Sequence, residues 1–441
     1  MTLQTKTTTD FFNSEYCNFG SYDNLRKIAS IMDGQKNAAR KVLWFIQQKN
    51  QTQEIKVSQL DSKVAEYTEY LHGSMSGVIV NLAQNRPGTN NLNLLHPEGN
   101  FGTRLIPEAS APRYIYTFGT PDFFEIFNKE DNEILQGQTF EGHQIEPTFL
   151  LPKLPLLLIN GSEGISSGFA QKILPRNPDE IKKYLTYYLK KPNNPRKPFK
   201  GTPWFRGFKG TVKGLEKNQW VIQGVFNRKG NKVIITELPI GYNLKSYLKV
   251  LDKLEDDKKI VSYTENCIDD FHFEVQFNKK YLDTLPDEKL IDLLKLQKKV
   301  TENFTVMDHQ NKVQVYDSVD DLFHGYYKVK MVYLQKRKNH LIKIITNDIK
   351  EKVSKYTFIK NIIDETLVIT KRPTDDILLD LKSLHNVIAI DNSYDYLLKM
   401  PIHSLTEERM NKLLQQIKDS KRYLDEIKTT SLENLWLKDL N

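Results

Sequence analysis

The chain has 441 residues, 39% of them hydrophobic and 27% charged, and its 63 lysines and arginines against 55 acids give a net charge of +8. At roughly 150 residues per domain the length implies about three units, and the composition excludes wholesale disorder, with a mean hydropathy of −0.53 describing a water-facing surface. The positive balance favours a polyanionic partner.

The N-terminal MTLQTKTTTDFF has no basic-then-apolar signal pattern. The most apolar window, 149–160, is broken by Pro152, Lys153 and Pro155 and falls short of the ~20 residues a membrane span needs. Cys17 and Cys267 form neither a disulfide framework nor a zinc spacing. A reducing cytosol or nucleoplasm is expected.

Residues 10–145 mix helical periodicity with short apolar runs, as a helix-turn-helix-like unit would. A helix is predicted over 32–48, after Asp33-Gly34, with Val42, Leu43, Phe45 and Ile46 on its apolar face and Lys36, Arg40 and Lys41 on a basic one. Between 24 and 41, Arg26, Lys27 and those three cations oppose only Asp33. They suit a phosphate backbone, or simply a solvated helix face. In 97–116, PEGNFGTRLIPEASAPRYIY, glycines allow tight turns and Arg113-Tyr114 closes the segment. The apolar run 154–159 fits a strand. After it, Gly164 to Gly168 matches the G-x-S-x-G elbow of hydrolases, yet Pro175 interrupts the helix that motif needs.

From 182 to 209 nine basic residues (Lys182, Lys183, Lys190, Lys191, Arg196, Lys197, Lys200, Arg206 and Lys209) occur without an acid, interleaved with aromatics such as Tyr187 and Trp204. Such a segment can neutralise phosphates and stack flat rings on sugars or bases, or stay a solvated loop. Its 192–203 stretch is linker-like. Apolar runs at 220–226, 233–238 and 271–277 predict strands and an α+β region over 146–310. From 318 onward long helices are predicted, first on Val319, Leu322, Tyr326, Val329 and Tyr333. A second starts at a capping box from Ser404 to Glu407 and carries Met410, Leu414, Ile417, Leu424 and Ile427 near heptad spacing, a coiled-coil-like end. No P-loop, H-E-x-x-H, C-x-x-C or dinucleotide fingerprint occurs, and the nine histidines show no metal spacing.

Several stretches, taken in order, resemble the DNA breakage-and-reunion subunit of type IIA DNA topoisomerases, the family of eukaryotic topoisomerase II, gyrase A and the medium subunit of T-even-type phage topoisomerases. They include DNLRKIASIMDGQKNAARKVL (23–43), KVAEYTEYLHG (63–73), NNLNLLHPEGNFGTRL (90–105), ASAPRYIYT (109–117), INGSEGISSG (159–168) and YLLKMPIHSLT (396–406). The resemblance implies a multidomain α+β fold. Residues 1–145 would be a winged-helix domain with the cleaving tyrosine, 146–310 a mixed α/β tower that binds and bends DNA, and 311–441 a coiled coil with a C-terminal dimerisation gate. Position by position, Tyr114 matches the tyrosine that attacks DNA, Arg113 its neighbour on the scissile phosphate, and His72 the second histidine of the H-H-G motif. Arg26, Lys36 and Arg40, with Lys41 beside them, surround the D-G-x-K-P element. Ile165 matches the isoleucine that wedges between base pairs. Lys197, Lys200, Arg206 and Lys209 of the basic segment are further expected DNA contacts. Leu71, Asn37 and Ser74 depart from the family's usual histidine, proline and acid.

The function so implied is that of an ATP-hydrolysing type II topoisomerase, an isomerase that cuts both strands of double-stranded DNA through 5′-phosphotyrosyl links and passes another duplex. The sequence contains neither the E-G-D and D-x-D signatures of the Toprim domain nor a nucleotide-binding motif. The resemblance therefore implies no metal in this chain and a partner ATPase/Toprim subunit that holds Mg²⁺ and ATP. A homodimer through the C-terminal gate, in contact around 394–405, would supply the two tyrosines. The chain's end at Asn441, without a wrapping domain, points to relaxation and decatenation. No membrane is implied; the expected location is a host cytoplasm for a phage protein, or a nucleus or viral factory for one from a eukaryotic virus. A non-enzymatic DNA-bending protein is the competing reading. If 114–116 is extended, Tyr116 points to the same side as Tyr114 and becomes its internal control.

Overall fold

The computed structural model describes residues 6–191 and 197–440. Arg196 and the start of the linker-like stretch lie outside the described residues. The chain forms two compact units, Met1–Lys330 with Asp439–Asn441, and Met331–Lys438. The segments 1–145 and 146–310 thus fall in one unit. Among the described residues no helix is long and apolar enough to cross a membrane.

In the first unit, α1 (Cys17–Lys27) leads into an irregular stretch and then α2 (Asn37–Lys49). The predicted helix at 32–48 starts later because Gly34 has φ +67°. A Cβ there would stand 2.6 Å from the Leu157 backbone nitrogen, and a left-handed residue cannot begin a right-handed helix. Strand β1 (Ile55–Lys56) and helices α3 (Val57–Tyr67) and α4 (Ser76–Ala83) follow, then β2 (Leu95–Glu98) and β3 (Tyr116–Gly119). The three strands form an antiparallel sheet of order β1-β3-β2, with Ile55 opposite Thr117 and Leu95 opposite Gly119. Val42, Leu43 and Ile46 of α2, Leu60 and Val64 of α3 and Ile79 of α4 are buried, as the 3.6-residue period of apolar positions requires.

The run 154–159 is not a strand. Leu156–Asn160 is a short helix with four fully buried apolar residues. The G-x-S-x-G sequence lies in a tight hairpin of β4 (Ser162–Ser166) and β5 (Phe169–Ile173), followed directly by the second strand and not by a helix. The Ser166 hydroxyl donates to Asn24 Oδ1 at 2.6 Å, so it is a structural contact and not a nucleophile.

After α5 (Pro178–Lys190), capped by Asn177, the predicted strands appear as two antiparallel sheets. Strands β6 (Thr211–Gly214) and β7 (Gln219–Gln223) join one, and β8 (Val225–Lys229) and β9 (Lys232–Glu237) the other. Helix α6 (Leu244–Asp256), strands β10 (Ser262–Glu265) and β11 (Phe273–Gln276), and later β12 (Gln297–Thr301) complete them, in the orders β8-β9-β11-β10 and β12-β7-β6. Val233, Ile235, Phe273 and Val275 alternate inward and bury against Tyr247 and Leu251 of α6. The region 146–310 is mixed α and β, as predicted. A buried ion pair, Arg176 to Glu302 at 2.6 Å, also takes the Trp220 indole N–H at 2.8 Å and binds this region internally.

Helix α7 (Val319–Ile363) begins in the first unit, where Leu322, Phe323 and Tyr326 are buried. In the second unit its Ile345 and Ile349 pack on Leu424 and Ile427 of a helix over Glu407–Thr429. Lys338 Nζ donates to the Thr430 carbonyl at 2.7 Å and Lys352 Nζ to Ser420 Oγ at 3.1 Å, so the pair runs antiparallel. Between them Phe358, Leu367, Leu397 and the helix Thr374–Ser383 build a small separate core. The predicted capping box at Ser404 is displaced: Thr406 is the N-cap, accepting from the Arg409 amide at 3.3 Å, and Ser404 closes a 3-10 turn. In the helix Glu407–Thr429, Leu413 and not Leu414 is buried.

Candidate active site

Arg113 and Tyr114 end a loop that is fixed along its length. Gly102 has φ +88°, and a Cβ there would meet the Pro107 carbonyl at 2.3 Å. The Ser110 amide donates to the Asn100 carbonyl at 2.9 Å. The buried Arg104 guanidinium donates to the carbonyls of Tyr242 at 2.6 Å and Leu238 at 2.8 Å and pairs with Glu237 at 3.4 Å, tying the loop to the end of β9. On the other side, the amides of Val57 and Ser58 donate to the carbonyls of Ile115 and Pro112. Tyr114 itself sits in a turn, its amide on the Ala111 carbonyl at 2.9 Å, with its side chain 65% exposed. The Arg113 guanidinium carbon lies 4.8 Å from the Tyr114 ring centroid, so a fixed cation accompanies an accessible phenol. Tyr116 is the half-buried first residue of β3, 5.9 Å from Lys56 Nζ. The expected extended segment from 114 to 116 is therefore replaced by a turn followed by a strand.

A cleft of about 620 Å³ brings Tyr22, Arg26, Lys36, Tyr70 and His72 together. Arg113 and Tyr114 are not among the residues that line it. Its loop, between α3 and α4, is held by Asp61, whose carboxylate accepts from the Met75 amide at 2.9 Å, the Ser76 amide at 3.1 Å and the Ser76 hydroxyl at 2.7 Å. These hydrogen bonds hold the Asp61 carboxyl below its usual range against the opposing effect of burial. Asp61 thus caps α4 from another helix. Lys36 Nζ donates to the Glu163 carbonyl at 2.7 Å, and burial pushes its ammonium below the usual lysine range.

Besides Lys36, four of the expected DNA cations are engaged within the protein. Arg40 is buried and forked onto Asp33, with Nε to Oδ2 at 2.6 Å and Nη2 to Oδ1 at 3.1 Å. Lys41, also buried, pairs with Glu146 at 2.8 Å and donates to the Thr68 carbonyl at 2.7 Å. Burial pushes the Glu146 carboxyl up, opposed by the Lys41 charge. The basic helix face predicted for α2 is thus corrected: buried cations need anions, and Asp33 and Glu146 supply them. Arg206 donates to the Asn85 carbonyl at 3.1 Å and to Asn93 Oδ1, and Lys209 pairs with Asp270 at 2.6 Å. Lys197 and Lys200 are exposed. Sequence reading passed over Asp61, which caps the loop 13–15 residues on, and Arg104, whose partners lie far along the chain; Asp33 was visible only as the one acid among cations.

Ile165 is 76% exposed on β4. The hairpin is clamped to α1: Asp23 accepts from the Ser167 amide at 2.8 Å, and a Cβ on Gly164 would stand 2.1 Å from the Lys27 carbonyl oxygen.

The family model for the A-type subunits of DNA gyrase and topoisomerase IV matches residues 26–441. The mitochondrial DNA topoisomerase 2 of Dictyostelium discoideum is 35% identical over 446 residues, covering 98% of this chain and 34% of that protein. The DNA topoisomerase 2 of Saccharomyces cerevisiae is 32% identical over 504 residues, covering 100% of this chain and 35% of that protein. A solved structure, described as the DNA-binding, cleavage and re-ligation domain of Plasmodium falciparum topoisomerase II, superposes with a TM-score of 0.86 at 32% identity, covering 98% of this chain and 63% of that one. The chain spans about a third of the length of the curated relatives it matches. With the match running from Arg26 to Asn441, the chain belongs to the family of DNA gyrase and topoisomerase IV A-type subunits, the breakage-and-reunion core of type IIA topoisomerases.

Proposed function

We propose that this chain breaks and rejoins double-stranded DNA as part of a type IIA topoisomerase, with Tyr114 as the nucleophile. The observation that carries the reading is the exposed Tyr114 phenol on a fixed turn with the Arg113 cation against it. In the proposed step Tyr114 Oη attacks a backbone phosphorus. An O–P bond forms, the P–O3′ bond breaks, the phenol loses its proton and the 3′ oxygen leaves as a hydroxyl. One phosphoester replaces another, so the energy of the broken strand is kept for resealing. A phenol with pKa ~10 is a weak nucleophile at neutral pH, and Arg113 would steady the charge that grows on the nonbridging oxygens.

Mg²⁺ and ATP are general requirements of the family. Among the described residues no group of three or more His, Cys, Asp and Glu side chains is placed to hold a metal ion. We place the cation, the Toprim domain and the ATPase on a partner subunit. The elements from α2 to β3 would act as the winged helix, the two sheets and α6 as the tower, and the second unit as the dimerising gate, in a homodimer that puts one Tyr114 on each strand. The matches to DNA topoisomerase 2 proteins and to a DNA-binding, cleavage and re-ligation domain favour this reading over a purely architectural protein. The reading is tested by adding the chain, its ATPase/Toprim complement and Mg²⁺ to supercoiled plasmid. Denaturant-trapped, protein-linked linear DNA is expected, and its absence at excess protein contradicts the proposal.

Two expectations concern DNA binding. Ile165→Ala should lower the bend angle of a bound duplex, read by end-to-end energy transfer, before it lowers affinity, since the wedge opens a base step that backbone contacts leave stacked. Lys197→Ala and Lys200→Ala should each reduce the slope of log affinity against log salt by about one, whereas Lys209→Ala, already paired with Asp270, should change it less.

A further inference from the structure

One turn of α1 carries Tyr22, Asp23 and Asn24. Asp23 and Asn24 are fixed to the hairpin, on the Ser167 amide at 2.8 Å and the Ser166 hydroxyl at 2.6 Å. Tyr22 turns instead to the cleft, where its hydroxyl hydrogen-bonds His72 Nε2 and its ring centroid lies 5.9 Å from the imidazole. Tyr70 packs edge-on against the same imidazole at 5.7 Å, and the Arg26 guanidinium carbon is 5.7 Å from the Tyr22 ring. The neighbour of His72 in sequence, Leu71, is apolar and 74% exposed, so it offers the ring no polar contact. Asp61 holds the following residues, Ser74 to Ser76, but does not touch the imidazole. The polar contact that sets the ring's orientation therefore comes from a helix 50 residues earlier in the chain.

We infer that Tyr22 is a positioning residue for His72. By engaging Nε2 it leaves Nδ1 as the nitrogen available to a phosphate or sugar oxygen in the cleft, beside Arg26 and Lys36. The inference rests on the reading that this cleft takes DNA, and it deepens that reading by naming what orients its histidine. Tyr22 is 45% exposed, so losing the hydroxyl alone leaves no cavity and no buried unsatisfied group.

The test uses the full chain as Tyr22→Phe, His72→Ala and the double variant. In the chain alone, the ¹⁵N shifts of the His72 ring, which separate a hydrogen-bonded Nε2 from a free one, should move in Tyr22→Phe while those of His96 and His143 stay. With the complement and Mg²⁺, Tyr22→Phe should cut roughly tenfold to a hundredfold more slowly, the loss typical of a misplaced reacting group, with duplex affinity unchanged. Adding Tyr22→Phe to His72→Ala should cost nothing more, because the hydroxyl acts through the imidazole. Unmoved His72 shifts, parental cleavage by Tyr22→Phe, or a full additional loss in the double variant would each overturn the inference. Cleavage by Tyr114→Phe sinks the nucleophile assignment instead, so the two failures are distinguishable.

Discussion

Tyr114→Phe is expected to fold, to bind duplex DNA with the parental affinity and salt dependence, and to form no protein-linked DNA. The substitution removes one oxygen from a side chain that is mostly in water, so stability should change by less than about 0.5 kcal/mol. The chemistry, by contrast, has no substitute for the lost atom. Removing a covalent nucleophile costs on the order of 10⁴-fold or more in rate. Tyr116→Phe is the control: it begins β3, half-buried in the sheet rather than on the turn, and should cleave normally. Arg113→Ala should still bind but cut ~10²-fold more slowly, the usual cost of one lost charge-stabilising group.

The second large effect concerns stability. Asp33→Ala is expected to destabilise the chain by ~3–5 kcal/mol in denaturant unfolding, the range for breaking a buried ion pair on one side. Asp33 is fully buried and accepts both prongs of Arg40, the Gln35 amide at 3.0 Å and the Leu150 amide at 2.9 Å. Its removal strands a buried guanidinium and two amides together. Arg40→Ala should behave alike. If Arg40 instead gripped a phosphate, its removal would lower the salt slope of DNA binding by about one and leave the unfolding midpoint in place. The measured midpoint and slope decide between these outcomes.

Much of the architecture could be read from periodicity. The strands near 220, 233 and 273 and the long helix from 319 appear where apolar alternation and three-to-four spacing put them. The family was also legible, because its motifs are long and ordered. What periodicity could not supply was which charges are free. Lys41 counts as a surface cation until Glu146, 105 residues later, folds onto it. Lys209 likewise looks unopposed until Asp270, 61 residues on, arrives. Local backbone geometry was lost for a similar reason: the late start of α2 depends on Leu156 and Leu157 crowding Gly34. The contact of Tyr22 with His72 has no sequence signal, since neither residue's spacing marks the other.

The most direct measurement is mass-spectrometric mapping of the covalent adduct formed when the chain, its ATPase/Toprim complement and Mg²⁺ are incubated with duplex DNA and trapped by denaturant. A nucleotide joined through its 5′ phosphate to the tyrosine of the peptide containing Arg113-Tyr114, and located on Tyr114 by fragmentation, is the expected result. An adduct on Tyr116 or any other residue, or no adduct from a chain that binds and bends the same duplex, would contradict the assignment.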